Sequence, residues 1–281
     1  DVDAGAALTW SVQGTADSTY GAFSVDPVSG QWTYSLDNAA SVTQALAEGQ
    51  SAVLTFTVRV TDEHGAYAEQ LVTITITGTN DSPVITNDVS QLAGSVVEAS
   101  ASDSGTPTAT GQLSATDVDA NATQAWSVQG TADTTYGTFS VDPASGQWTY
   151  TLDNGLPATQ ALAQGQTETL TFVVRVTDDK GAYVDQTVTL TITGTNDTPV
   201  IGEDSQASGT VIEAGNLDNG TNVVGTPTAT GLLVATDVDA GATLTWSVQG
   251  TADSTYGAFS VDPASGQWTY SLDNAASVTQ A

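Results

Sequence analysis

The chain has 281 residues, with 32 acidic side chains against 3 basic ones and a formal net charge of −29. Three cations (Arg59, Arg175 and Lys180) cannot neutralise a phosphate backbone, which excludes nucleic acid, and the negative balance disfavours anionic membrane surfaces. Cysteine and methionine are absent, which removes thiolate zinc sites, iron–sulfur clusters and cysteine nucleophiles, and no apolar run reaches membrane-spanning length.

From the N-terminus onward the chain repeats itself. DVDAGAALTWSVQGTADSTYGAFSVDPVSGQWTYSLDN begins at Asp1, and near-copies begin at Asp117 and Asp237. Residues 1–45 and 237–281 differ only at Ala7/Thr243 and Val28/Ala264. A period this long makes each copy a domain rather than a solenoid turn. GTNDSPVI at 78–85 and GTNDTPVI at 194–201 each follow a strand-like run and carry a proline, as an interdomain joint does. The frame that results is one complete repeat over 82–197, preceded by a repeat over 1–81 that lacks its first strands. A third repeat over 198–281 lacks its last strands.

Inside this frame the apolar period is two. Trp148, Tyr150 and Leu152 share one face, as do Leu170, Phe172, Val174 and Val176, and then Val188, Leu190 and Ile192. The intervening positions are mostly threonine, arginine and serine, so one face of each strand is wet. The turns DPASGQ at Asp142 and DDKGA at Asp178 separate the runs. ATQALAQG over 158–165 has room for one helical turn. The expected fold is all-β, a tandem of Greek-key β-sandwiches with about seven strands in a complete repeat. Trp126 and Trp148, which recur as Trp10, Trp32, Trp246 and Trp268, lie in phase with the apolar face and belong to the core. An aromatic platform for a sugar is the competing reading.

The carboxylates gather at strand ends and turns. Asp117 and Asp119 stand in ATDVDA, Asp153 and Asn154 in LDN, Asp178 in VTDDKG, and Asn196 with Asp197 in the joint; Glu98 in SVVEAS has its counterpart at Glu213. A calcium ion takes roughly six to eight oxygens, more than any one of these turns supplies. Strand ends converging at one pole of a sandwich, together with the neighbouring repeat, supply enough. Carboxylates this close, without lysine or arginine among them, also repel one another unless a cation intervenes. Plain solvation of an acidic surface is the alternative, and it is the better account of Glu168 and Asp218.

These motifs have a family resemblance. FSVDPASGQWTYTLDN resembles the cadherin segment built around the LDRE motif, and VRVTDDKGAY followed by TVTLTITGTNDTPV resembles the cadherin A-x-D-x-G segment, last strand and DxNDNxP linker. ATDVDA resembles the DxD motif, and VIEAG resembles the stretch holding the calcium-binding glutamate. The GTND-x-P ending with W-x-Y-x-LDN is more similar still to bacterial VCBS-type repeats of secreted RTX-like adhesins. The resemblance implies one or two Ca2+ ions at each joint, held from both sides. At the first joint it implies Asn80 and Asp81 from the linker, Asp37 from upstream, and Asp117, Asp119 and Asp178 from downstream. At the second it implies Asn196 and Asp197, with Glu98 and Asp153 upstream and Asp237 and Asp239 downstream. Asp1, Asp3 and Asp62 belong to a preceding joint. Gly78 and Gly194 replace the first linker aspartate, and Ala39 or Gly155 stands where the glutamate of LDRE would follow.

The expected function is a calcium-stiffened extender in the stalk of a bacterial surface adhesin. Its partners are calcium and the neighbouring repeats, it lies outside the cell, and it makes no contact with nucleic acid and inserts into no membrane. A carbohydrate- or partner-binding module is the alternative, with Tyr67 and Tyr183 as its candidate aromatics. Catalysis is not expected: His64 is the only histidine and lies outside the repeated pattern, and no nucleophile elbow, zinc-helix motif or phosphate loop occurs.

Overall fold

Valine, isoleucine and threonine crowd the χ1 torsion and favour extended backbone. The computed structural model, which describes residues 6–280, follows that preference almost throughout. The first strands are β1 (Thr9–Gln13), β2 (Gly21–Val25) and β3 (Trp32–Leu36). After the one-turn helix α1 (Ser41–Gln44) come the long strands β4 (Ser51–Thr61) and β5 (Tyr67–Thr77). Beyond the first joint lie β6 (Ala93–Val97), β7 (Thr108–Gln112), β8 (Gln124–Gln129), β9 (Gly137–Val141) and β10 (Gln147–Leu152). Helix α2 (Pro157–Gln160) then precedes β11 (Thr167–Asp178) and β12 (Tyr183–Thr193). The last three are β13 (Thr228–Leu232), β14 (Gly257–Val261) and β15 (Gln267–Leu272).

Between 93 and 193 two sheets face each other. One runs β8–β11–β12–β6 and the other β9–β10–β7. The chain passes from sheet to sheet at every connection except the β9–β10 and β11–β12 hairpins. Every pairing is antiparallel except that of β6 with β12, where Thr189 lies opposite Ala93 and Thr193 opposite Val97. The alternation read from the sequence places the core. Trp148, Tyr150, Leu152, Phe172, Val174, Val176, Val188, Leu190 and Ile192 are all buried between the sheets. At its centre the Phe139 and Phe172 rings stack with centroids 4.3 Å apart. Trp148 is wholly enclosed, and its indole N–H donates to the Gln91 carbonyl at 3.0 Å. Gly111 on β7 makes that possible, since a Cβ there would come within 2.5 Å of the indole. Of the six tryptophans assigned to the core, Trp126, Trp148 and Trp268 are buried and Trp10 and Trp246 half-buried, while Trp32 is exposed.

The flanking copies show what pairing partners contribute. TWSVQ is strand β1 at 9–13, where it lies antiparallel to β4, but the same pentapeptide at 245–249 is paired with no strand. Trp268 on β15 is covered by β13 and 5% exposed, whereas Trp32, its counterpart, has no such neighbour among the described residues and is 47% exposed. β-propensity alone is too weak to order a strand without a partner.

Candidate functional site

At each joint an Asx-turn in the DVDA motif turns an aspartate back onto the linker. At the first, Asp117 Oδ1 accepts the Asp119 N–H at 3.0 Å, and Asp119 Oδ2 accepts the Asp81 N–H at 2.9 Å. The second repeats the arrangement, with Asp237 Oδ1 accepting from Asp239 N–H at 3.0 Å and Asp239 Oδ2 from Asp197 N–H at 3.0 Å. Asp119 and Asp239 are only 6% and 8% exposed. Their remaining oxygens, Oδ1 in both cases, are buried with no hydrogen-bond partner, and so are Asp117 Oδ2 and Asp197 Oδ2. Leaving buried carboxylate oxygens unpartnered is costly, so the site calls for a cation or a proton.

The surrounding groups come from the linker and the turn after β11. Asn80 donates from Nδ2 to Asp178 Oδ2 at 2.9 Å and to the Asp81 carbonyl at 2.8 Å. Asp178 Oδ1 meanwhile accepts the N–H groups of Lys180 and Ala182. Burial raises the Asp178 carboxyl, but the hydrogen bonds from Asn80, Lys180, Ala182 and Gly181 outweigh it and leave the group below the ordinary carboxylate range. It is therefore anionic at neutral pH.

At the second joint Glu98 is completely enclosed. Its Oε1 accepts from Gln160 Nε2 and its Oε2 from the Thr195 N–H, both at 3.1 Å. Burial lifts the Glu98 carboxyl above its ordinary value against the pull of the Thr195 bond, and the charges of Asp197 and Asp239 push it further. Asp197 is raised as well, by burial first and then by Asp239 and Asp237. Glu98, Asp197, Asp237 and Asp239 thus form one repelling acidic group.

Asp37 and Asp153 are placed differently. Each is exposed, and each uses Oδ1 to accept the N–H two residues on, from Ala39 at 3.0 Å and from Gly155 at 2.8 Å. Asp62 lies in its own turn, accepting from His64 and Ala66, while Asp1 and Asp3 lie outside the described residues. Among the described residues no three carboxylate or imidazole groups already form a closed cage. The donors assembled are hard oxygens, the set that suits calcium, whose shell is commonly completed by carbonyls and water.

A profile of the bacterial cadherin-like domain matches residues 1–78 and 80–194. The chain belongs to the bacterial cadherin-like domain family. Among solved structures, mouse cadherin-23 EC22-24 is 18% identical, with 97% of this chain and 78% of that one aligned at a TM-score of 0.48. Human CDH23 EC21-23 is 16% identical over 95% and 79% of the two chains, at 0.49. Drosophila N-cadherin EC1-4 is 19% identical over 95% and 59%, at 0.40. No curated protein matches the chain. Cadherin-like domains are structural and adhesive modules.

These cadherin-like repeats depart from the linker of cadherins for a visible reason. A Cβ on Gly78 would land on the Leu46 carbonyl oxygen, and one on Gly194 would land on that of Leu162. The linker enters against the loop that follows each helical turn, so an aspartate has no room. Gly194→Ala is expected to destabilise the central sandwich by about 1–3 kcal/mol. Chemical unfolding followed by tryptophan fluorescence reads this out, and an unchanged midpoint would contradict the packing.

Three amides act as positioning groups; Asn154 was singled out with the strand-end acids, whereas Gln160 and Gln164 escaped the sequence reading. Gln160 holds Glu98. Asn154 grips Ala99, next to Glu98, from both sides, accepting its N–H at 2.9 Å and donating to its carbonyl at 2.8 Å. Gln164 accepts the Asn196 N–H at 3.1 Å. Gln160 recurs as Gln44 in TQALA, but Gln164 is replaced by Glu48 in the first repeat, and a neutral amide is not distinguished from surface polarity by type alone.

Proposed function

We propose that the chain is a calcium-stiffened extender from the stalk of a bacterial surface adhesin, holding a distal adhesive domain away from the cell. The partition that goes with this reading is one complete sandwich over 82–197 between partial ones over 1–81 and 198–281. The observation that carries it is the set of buried, unpartnered carboxylate oxygens recurring at both joints, where linker meets the next repeat.

When bound, calcium supplies two positive charges that oxygens from both sides of a joint share. At the first joint Asp117, Asp119 and Asp178 would hold it from downstream, with Asn80 and Asp81 in the linker. At the second Asp237 and Asp239 would do so from downstream, with Glu98 from upstream and Asn196 and Asp197 between. The proposed stoichiometry is one or two ions per joint. Interfaces between domains of one chain are small, so free swing is the default. Aspartates already tied to the linker backbone convert ion binding into restraint of that swing. With the ion removed the same acids repel. The extracellular setting follows from this chemistry, since millimolar calcium occurs outside cells.

The sugar-binding alternative is less favoured by its candidate aromatics. Arg59 lies over the Tyr67 ring at 3.9 Å and Arg175 over Tyr183 at 3.5 Å, so one face of each ring is already taken by a guanidinium. Each arginine is in turn paired with the acid opposite it on the hairpin, Glu69 or Asp185.

Small-angle scattering of the chain in millimolar calcium and in chelator tests the proposal. The maximum dimension should shrink and the distribution of distances broaden in chelator. Identical curves in the two buffers would remove the calcium role.

A further inference from the structure

A second connection crosses each joint, made of main-chain atoms alone. The Ala120 N–H donates to the Ala45 carbonyl at 3.1 Å, and the Ala240 N–H donates to the Ala161 carbonyl at 3.0 Å. Ala45 and Ala161 cap helices α1 and α2, with φ/ψ of −77°/−3° and −83°/−1°. A helix end leaves its last carbonyls without partners inside the helix, so these oxygens are available as acceptors. The donors occupy the same place in both copies, the fourth residue of DVDA.

The turn that presents the donor is specialised for it. Ala122 N–H closes onto the Asp119 carbonyl at 3.3 Å with Asn121 at φ 64°, and Ala242 closes onto Asp239 at 3.2 Å with Gly241 at φ 77°. A positive φ at the third position is the mark of a type II turn. It leaves the N–H of the second residue, Ala120 or Ala240, pointing away from the turn's own hydrogen bond. The receiving loop, 45–50 or 161–166, is the one against which Gly78 and Gly194 pack. The loop is therefore held by the linker on one side and meets the next repeat on the other.

We infer that the loop following each helical turn is a docking surface for the DVDA turn of the next repeat, a metal-independent latch that sets the direction of one sandwich relative to its neighbour. Calcium then narrows the swing about a direction already chosen. The inference shares the joint with the calcium reading but does not depend on it, since neither atom of the hydrogen bond is charged or a ligand.

Ala120→Pro isolates the latch. Proline is favoured at the second position of a type II turn and has no N–H, so it keeps the turn and deletes the donor. The chain has no cysteine, so Val28→Cys and Val89→Cys, both highly exposed and on opposite sides of the first joint, accept one spin label each. Electron–electron distance measurement in chelator should give the parent a single broadened peak at its calcium position. Ala120→Pro should give a distribution about twofold wider, that of a joint without an interface to oppose free swing. Ala120→Ser, which retains the N–H, should match the parent. The equivalent Ala240→Pro with labels across the second joint guards against a misfolded first variant. Superimposable distributions for parent and proline variants in chelator would overturn the latch. Failure of the calcium reading looks different, as calcium would then leave every distribution unchanged while the proline effect persisted.

Discussion

Asp239→Asn is expected to melt below the parent in millimolar calcium and above it in chelator. The asparagine oxygen still accepts the Asp197 N–H, so the turn and linker keep their geometry. What disappears is one charge from a group in which Glu98 and Asp197 are both held above their ordinary protonation range, in part by Asp239. Without metal this relieves repulsion, and the midpoint rises. With metal it removes a proposed ligand, one whose second oxygen is buried and unpartnered. An ion present at a hundredfold excess over its dissociation constant stabilises the folded state by about 2.7 kcal/mol, which bounds the loss. A change of about 1 kcal/mol moves the midpoint of a domain this size by roughly 4–8 °C, well within the resolution of calorimetry. If Asp239 only solvates the surface, the substitution shifts both midpoints alike and slightly, and the crossover is absent. A carboxylate that merely braces the turn predicts a fall in both buffers.

Trp148→Ala is the larger perturbation of the fold, at about 3–5 kcal/mol. The indole is fully buried, stacks on Phe139 with centroids 5.7 Å apart, and satisfies the Gln91 carbonyl. Removing it leaves a cavity walled by β6 and β7, whose Gly94 and Gly111 have no side chains to fill the space. Trp32→Ala removes the same residue from the same motif, but from a site 47% exposed, and should cost far less. Native-state hydrogen exchange, read on β11 and β12 for the first variant and on β4 and β5 for the second, separates the two. Protection there should collapse in the first variant and persist in the second, and equal effects would mean that the motif rather than the covering strand determines the burial.

The alternation of Val188, Leu190 and Ile192, and of Trp148, Tyr150 and Leu152, was legible because a strand with one buried face writes that face into every second residue. The meeting of the DVDA and GTND aspartates at the joints was legible because acids without countercharges stand out in any composition. Three things were not. TWSVQ is a strand at 9–13 and none at 245–249, a difference set by a partner far away in sequence. Asp37 and Asp153 close the same local turn as Asp117 and Asp237 yet remain exposed, a difference in burial that the motif does not encode. The Ala45 and Ala161 carbonyls carry no sequence signature at all, because a main-chain acceptor is common to every residue type.

The parallel pairing of β6 with β12 has a mechanical consequence. The chain enters β6 from the first joint and leaves β12 into the second, and parallel strands place that entry and exit at opposite ends of the pair. Tension along the array therefore pulls the two strands past each other lengthwise. The ladder from Ala93–Thr189 to Val97–Thr193 is loaded in shear, all of its bonds at once, instead of being peeled open one bond at a time. Rupture then has to break the whole ladder together, so the central sandwich resists a pull along the chain as a unit.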